Sequence, residues 1–212
     1  MKPLFMWAGG KTRLIKKYKE KEVLPAEFDS YIEPFLGGGA MFTWAYNKNP
    51  DAQFYLNDSN DSIMNIYRAI KHDVHRFIEL MDRCSAIYLP LEKADRKTYY
   101  YELRHEHAFD YFKWSATEEA AALYFLMKTG FNGIWQINQN TNGRFGTPSG
   151  LLNQKDKVYD KKNVMEWHKA LRNCTLLSGD FKDTLAYVKE NAYVFLDPPY
   201  RGSFTQYGVD FD

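Results

Sequence analysis

The chain has 212 residues, 45% of them apolar and 17% aromatic, with a formal net charge of +1. That length suits one domain, or one domain carrying a sizeable insertion. No apolar run approaches a membrane span, Trp7 and Lys11 interrupt any signal-peptide pattern, and two cysteines, Cys84 and Cys174, exclude a disulfide framework, so a reducing, cytoplasmic setting is expected.

The near-neutral balance does not by itself mark a nucleic-acid binder, and distribution matters more. Residues 1–30 are locally basic: Lys2, Lys11, Arg13, Lys16, Lys17, Lys19 and Lys21 face Glu20, Glu22, Glu27 and Asp29. In this stretch Gly10-Lys11-Thr12 resembles the end of a phosphate-binding P-loop. The P-loop needs a glycine five positions earlier, and that position is Phe5. The pattern fails on spacing. "TRLIKKYKEKEV" then reads as a short helix.

"SYIEPFLGGGAMFTWAY" reads as a strand (31–36), a glycine turn and a helix from near Ala40. A glycine cluster after a strand lets the backbone approach a ligand at the carboxyl edge of a parallel sheet. The third glycine of a dinucleotide fingerprint would fall at Phe42, so no pyrophosphate is demanded. "AQFYLNDSNDSIMNIYRAI" reads as a second strand (53–57), a polar turn, and a helix capped around Asp58 to Asn60. An acid about 20 residues after the glycine turn suits two ribose hydroxyls, and a helix N-cap is the alternative for Asp58. Strand-loop-helix twice over predicts a parallel α/β sheet.

From about 61 to 170 the sequence becomes mostly helical and polar. "SATEEAAALYFLMKTG" carries a capping box, Ser115 with Glu118, and stops at Gly130. "FNGIWQINQNTNGRFGTPSG" follows as a long ordered loop or hairpin, of the kind that usually carries function. Strand signals return in "CTLLSGDF" (174–181), then a helix "KDTLAYVKEN", then "AYVFLDPPY" (192–200). His72 with His75, and His105 with His107, are close pairs without a third ligand motif, so no metal is expected.

Asp197-Pro198-Pro199-Tyr200 follows the apolar run "YVFL" and so sits at the tip of a buried strand. The prolines stiffen the loop and remove two N–H donors. What remains is a cluster of acceptors, the Asp197 carboxylate and the Pro198 carbonyl, beside the flat ring of Tyr200. Such a site can accept both hydrogens of an exocyclic amine while a ring stacks on the base. The lone pair of adenine N6 is delocalised into its ring, and hydrogen bonds that favour a tetrahedral nitrogen free it for attack. Neither cysteine follows a proline, which argues against a cysteine-nucleophile cytosine-C5 mechanism.

The pieces "WAGGK" (7–11), "EPFLGGG" (33–39), "LND" (56–58), "FNGIWQIN" (131–138), "GRFGTPSG" (143–150), "GDF" (179–181) and "DPPY" (197–200) together resemble the Dam-type DNA adenine-N6 methyltransferases, in the family's order and over nearly the whole chain. The resemblance implies a Rossmann-like sheet (1–60 and 171–212) carrying an inserted, mostly helical target-recognition region (61–170). It implies S-adenosylmethionine as cofactor and double-stranded DNA as partner, without metal or membrane, as in restriction-modification or phage enzymes. In it Trp7 and Lys11 close over the methionine end of the cofactor, Gly9 and Gly10 let the backbone approach, and Asp58 holds the ribose. Glu33, Phe35, Gly37, Gly39, Asp180 and Phe181 complete the cofactor set, and Asp197 lies near both the methyl donor and the target amine. Asp197, Pro198 and Tyr200 form the catalytic group. Asn132, Trp135, Gln136, Asn138 and Arg144 belong to a hairpin entering the DNA major groove. Many relatives have Arg where this chain has Gln136. Arg favours guanine edges and Gln adenine, so the usual GATC target is implied with a departure at this position. Methylation of another exocyclic amine, cytosine N4, and a cofactor- or DNA-binding remnant without turnover are the rival readings. The family fold continues for three more strands, so the C-terminal strands are expected to be missing from residues 1–212. That would leave "YVFL" with one unpaired edge and the chain alone poorly stable.

Overall fold

A computed structural model describes residues 1–7, 10–150 and 157–198, with the backbone alone at Arg13. Four strands, β1 (Ser30–Glu33), β2 (Gln53–Asp58), β3 (Cys174–Ser178) and β4 (Ala192–Val194), form one parallel sheet in the order β3-β2-β1-β4. Ile32 pairs with Tyr55 on one side and with Val194 on the other. β1 is buried along its whole length, as an internal strand of a covered parallel sheet must be. It ends at Glu33, earlier than the expected residue 36, because Pro34 has no N–H to continue the ladder. The chain winds β1, β2, β3 outward in one direction and then returns to place β4 on the other side of β1. The carboxyl ends of β1 and β4 therefore flank a topological switch point, where open α/β sheets place their ligands.

The helices are α1 (Thr12–Glu20), α2 (Ala40–Lys48), α3 (Asp61–His72), α4 (Val74–Tyr88), α5 (Lys93–Phe109), α6 (Ala116–Thr129) and α7 (Lys161–Leu171). α3 starts at Asp61, within the expected cap region, and the carboxamide oxygen of its N-cap Asn60 accepts from Ile63 N at 3.2 Å. The capping box of α6 is complete: Glu118 N donates to Ser115 Oγ at 3.2 Å, and Ser115 N donates to Glu118 Oε2 at 2.9 Å. α6 is buried nearly all round from Glu119 to Met127, so it forms the axis on which α3, α4 and α5 pack. α1 stops short of the expected end, and Glu22 turns the chain with a left-handed φ of 53°.

The expected helix "KDTLAYVKEN" is instead a 3-10 segment, Phe181–Tyr187. Asp183 N donates to Asp180 O at 3.0 Å and Thr184 Oγ1 to Phe181 O at 2.6 Å, which tightens the turn. Leu185 and Val188 face solvent, so no apolar stripe holds a longer α-helix against the sheet.

A single buried cluster runs from Phe28 and Tyr31 through Phe42, Phe54 and Tyr67 to Trp167 and on into Tyr124 and Phe125 of α6. Both α3 and α7, which lie within 61–171, pack on the sheet and on each other. The N-terminal residues are tied to the far end of the chain. Trp167 Nε1 and Asn163 Nδ2 donate to the Lys2 carbonyl at 2.7 and 3.1 Å, and the Tyr124 hydroxyl donates to the Leu4 carbonyl at 3.1 Å. Among the described residues no helix is long and apolar enough to cross a membrane.

Candidate active site

The site is built on the glycine turn after β1. Gly37 has a φ of 48°, and a Cβ there would lie 2.6 Å from the Trp7 indole. A Cβ on Gly38 would lie 2.9 Å from the Phe5 carbonyl oxygen. The glycines thus give the N-terminal segment room to cross directly over the turn. Gly39 has a φ of 69°, and a Cβ there would lie 2.4 Å from the Trp167 ring. Its missing side chain is filled by core packing rather than by the cavity.

Asp58 fixes the same turn from β2. Its two carboxylate oxygens accept from Gly37 N at 2.8 Å and from Asn60 N at 2.9 Å. It therefore serves the start of α3, as the N-cap alternative has it, while Asn60 is the cap proper. Each of its oxygens keeps a second lone pair. Asn57, which the motifs did not single out, is buried and donates from Nδ2 to the carbonyls of Pro34 (3.0 Å) and Gly179 (3.2 Å). It joins the turns after β1 and β3. The available signal was a carboxamide at the end of an apolar strand.

These elements wall a cavity of about 1890 Å³. Trp7, Lys11, Glu33, Phe35, Gly37 and Asp58 line one part, and Asp197 with Pro198 lines the end of β4. Asn132, Trp135 and Arg144 of the long loop close the opposite wall. Gly39, Gln136, Asn138, Asp180 and Phe181 are not part of the lining. Phe181 stacks on Phe35 with centroids 5.5 Å apart and so backs the wall from behind. Asp180 caps the 3-10 segment, accepting from Lys182 N at 2.9 Å. Asn138 accepts from Asn140 N at 2.9 Å and shapes the loop from within. Gln136 is half-buried, and its carbonyl accepts from Gly146 N at 2.7 Å. Gly9 and Tyr200 lie outside the described residues.

The long loop is a pinched hairpin, bridged antiparallel at Gly130–Ser149 and Ile137–Phe145. Trp135 is 5% exposed and packs between Trp7, at 5.9 Å, and Phe145, at 5.4 Å. It is the joint between the hairpin and the N-terminal segment rather than an outward-facing ring. Arg144 is held by Glu119 on α6 at 2.7 Å.

Four carboxyl groups line the cavity: Glu33, Asp58, Asp197 and, at the start of α3, Asp61. Asp197 is ion-paired with Lys11. Glu33 accepts from the Tyr31 hydroxyl at 2.8 Å and is fully enclosed. Burial pushes its carboxyl up to about 8, with Asp197 and Asp58 adding to the rise against the opposing bonds from Tyr31 and the Phe42 amide. Burial also raises Asp58, against the N–H groups of Asn60 and Gly37. Among the described residues neither Glu33 nor Asp58 has an ion-pair partner. The lining also carries Lys11, Lys17, Lys128 and Arg144, so its charges balance, while Glu33 and Asp58 at the ends of β1 and β2 are held by hydrogen-bond donors. No group of three or more metal-ligating side chains occurs among the described residues.

A family model described as D12 class N6 adenine-specific DNA methyltransferase matches residues 7–211. The type II methyltransferase M.MjaIII of Methanocaldococcus jannaschii is 33% identical over 98% of this chain and 73% of its own length. The retron Ec67 DNA adenine methylase of Escherichia coli is 30% identical over 99% of this chain and 67% of its own length. The DNA adenine methylase of Haemophilus influenzae is 27% identical over 94% of this chain and 64% of its own length.

Proposed function

Because the chain belongs to the D12 class of N6 adenine-specific DNA methyltransferases, we propose that its cavity takes S-adenosylmethionine and offers Asp197 and the Pro198 carbonyl to the N6 amine of a flipped-out adenine. The observation that carries this reading is the convergence of Glu33, Asp58 and Asp197 on one cavity at the switch point of the sheet, beside the N-terminal segment that crosses the glycine turn. S-adenosylmethionine supplies a methyl group on a sulfonium sulfur and brings an ammonium group as well. Those cationic groups suit the acceptor oxygens of Asp58 and Asp197. Trp7 and Gly37 cradle the methionine end, Asp58 receives the ribose hydroxyls on its unused lone pairs, and Phe35 backed by Phe181 provides the apolar face for the cofactor's purine.

The target base has to leave the duplex, since stacking and pairing shield the attacking nitrogen. Asp197 and the Pro198 carbonyl then accept its two N–H bonds. That hydrogen bonding draws the nitrogen toward a tetrahedral shape and directs its lone pair at the methyl carbon. Asp197 would exchange its bond from Lys11 for one from the amine and take the surplus proton as the N–C bond forms and the methyl–sulfur bond breaks, its electron pair staying on sulfur in the departing S-adenosylhomocysteine. Tyr200 is assigned the stacking face for the base. Residues 1–60 and 171–212 act as the methyltransferase body. Residues 61–170 act as the DNA-recognition insert, with Asn132, Gln136, Asn138 and Arg144 in the reading hairpin and Trp135 as its anchor.

The test is chemical. The protein is incubated with duplex DNA and S-adenosylmethionine, and the DNA is digested to nucleosides. N6-methyldeoxyadenosine is expected, on GATC duplexes or on variants of them. N4-methyldeoxycytidine, or no methylated nucleoside, would overturn the reading.

A further inference from the structure

We propose that Glu119, with the ring of Tyr111, is a positioning pair that presents the Arg144 guanidinium to a base edge in the DNA rather than to a phosphate. The inference rests on the DNA-methyltransferase reading above and deepens it.

Arg144 lies on the returning arm of the hairpin, at the cavity wall. That arm is gripped from α5. Arg104 Nη1 donates to the carbonyls of Gly146 (2.9 Å) and Thr147 (3.0 Å), and the Tyr100 hydroxyl donates to Thr147 O at 2.9 Å. The position of the Arg144 backbone is therefore set by the helical insert. Its side chain is set as well. Nη2 donates to Glu119 Oε1 at 2.7 Å, and the guanidinium carbon lies 3.6 Å from the centre of the Tyr111 ring. Glu119 is itself locked. Its Oε1 also meets His107 Nε2 at 3.0 Å, and its Oε2 accepts from Asn65 Nδ2 at 2.5 Å. Burial alone would raise Glu119, but His107, Asn65 and Arg144 together hold it below the usual carboxylate range.

Two consequences follow for an arginine held this way. Its charge is offset by a buried carboxylate at contact distance, so it gains less from a phosphate than a solvated arginine does. Its planar fork of donors keeps one orientation, and the side chain is still 20% exposed. Oriented donors with an offset charge are what a base edge needs, since guanine offers O6 and N7 to a fixed guanidinium. Phosphate contacts need charge more than direction.

The experiment uses the full chain with Arg144→Ala, Arg144→Lys and Glu119→Gln. Methylation rates are measured on a duplex panel carrying every single-base change in the parent's site, and duplex binding is measured against salt. The proposal expects Arg144→Ala to lose discrimination at one base pair by on the order of tenfold to a hundredfold, leaving other positions and the salt slope unchanged. Arg144→Lys should not restore it, because charge without the fork is insufficient. Glu119→Gln should relax the same base pair to a smaller extent while S-adenosylmethionine affinity stays at the parental value. If Arg144→Ala fails to fold, as thermal unfolding would reveal, Glu119→Gln and Arg144→Lys decide alone. A uniform loss over all sequences, with the salt slope reduced by about one, would make Arg144 a phosphate contact and sink the proposal. An unchanged preference in Glu119→Gln would remove Glu119 as its positioner. A parent that methylates no duplex would instead overturn the function reading itself.

Discussion

Two glutamates of this chain are almost equally buried and behave in opposite ways. Glu33, 3% exposed, sits at the carboxyl edge of the sheet with its carboxyl raised to about 8. Glu119, 7% exposed, sits in the helical insert with its carboxyl lowered. Burial pushes both upward. The difference is in the company they keep: Glu119 has His107, Arg144 and Asn65, whereas Glu33 has the Tyr31 hydroxyl and two further carboxyls, Asp58 and Asp197, as neighbours. The insert sets a cation against its buried carboxylate, whereas Glu33 at the sheet edge is held by a hydroxyl and a backbone amide.

The sharpest break in that contrast is Asp197→Ala. It should reduce methyl transfer by on the order of a hundredfold or more, because the amine loses its charged acceptor. Duplex binding should persist, since the proposed reading contacts lie within 61–170. Single-turnover methylation beside a filter-binding or anisotropy assay measures both, and activity within about threefold of the parent would remove Asp197 from catalysis.

Glu33→Gln comes next and reads the contrast through pH. A carboxyl raised in the folded state keeps its proton while the unfolded chain loses its own. Stability therefore falls as pH rises from near the ordinary glutamate value of 4.5 toward about 8. The amide cannot ionise, so the variant should lose this slope and gain on the order of a few kcal/mol near pH 8 relative to the parent. Lowered carboxyls such as Glu119 act in the other direction, with stability lost as pH falls below the ordinary carboxylate range. Urea unfolding across pH is the measurement. Parallel curves for parent and variant would show that Glu33 is ionised throughout.

Gly39→Ala tests whether the glycine turn serves the core as well as the ligand. The added carbon meets Trp167 at a left-handed φ, so a loss of about 2 kcal/mol is expected from overpacking and strain. Unchanged stability would mean that Trp167 has somewhere else to go. The smallest effect is at the insert's capping box. Ser115→Ala should cost about 1 kcal/mol and leave cofactor affinity alone, as isothermal titration would verify.

What could be read from the sequence divides along the same physical line. Features fixed by neighbours in the chain were legible: the strand-turn-helix repeats around 31–48 and 53–72, and the Ser115–Glu118 box. Features fixed by distant partners were not. Gly39 looks like part of a ligand cradle until Trp167, far along the chain, is seen to occupy the space. Trp135 and Arg144 stand close together in one hairpin, yet their surroundings are set from far off: Trp135 is buried against Trp7, and Arg144 is oriented by Glu119. The segment 181–187 has helix-forming residues, but exposed Leu185 has nothing to pack on.

The strap formed by the first residues carries a consequence for how the protein is made. The Leu4 carbonyl waits for Tyr124, 120 positions later, and the Lys2 carbonyl waits for Asn163 and Trp167, 161 and 165 positions later. On a ribosome, α4, α5 and α6 can meet as soon as they emerge, since their contacts are local. The strap cannot take its place until α7 has cleared the exit, and Trp7 cannot settle on Gly37 before the strap does. The glycine turn therefore stays uncovered through most of synthesis. Closing so long a loop is the slow kind of folding step, so the cleft matures last, after the helical part has already formed.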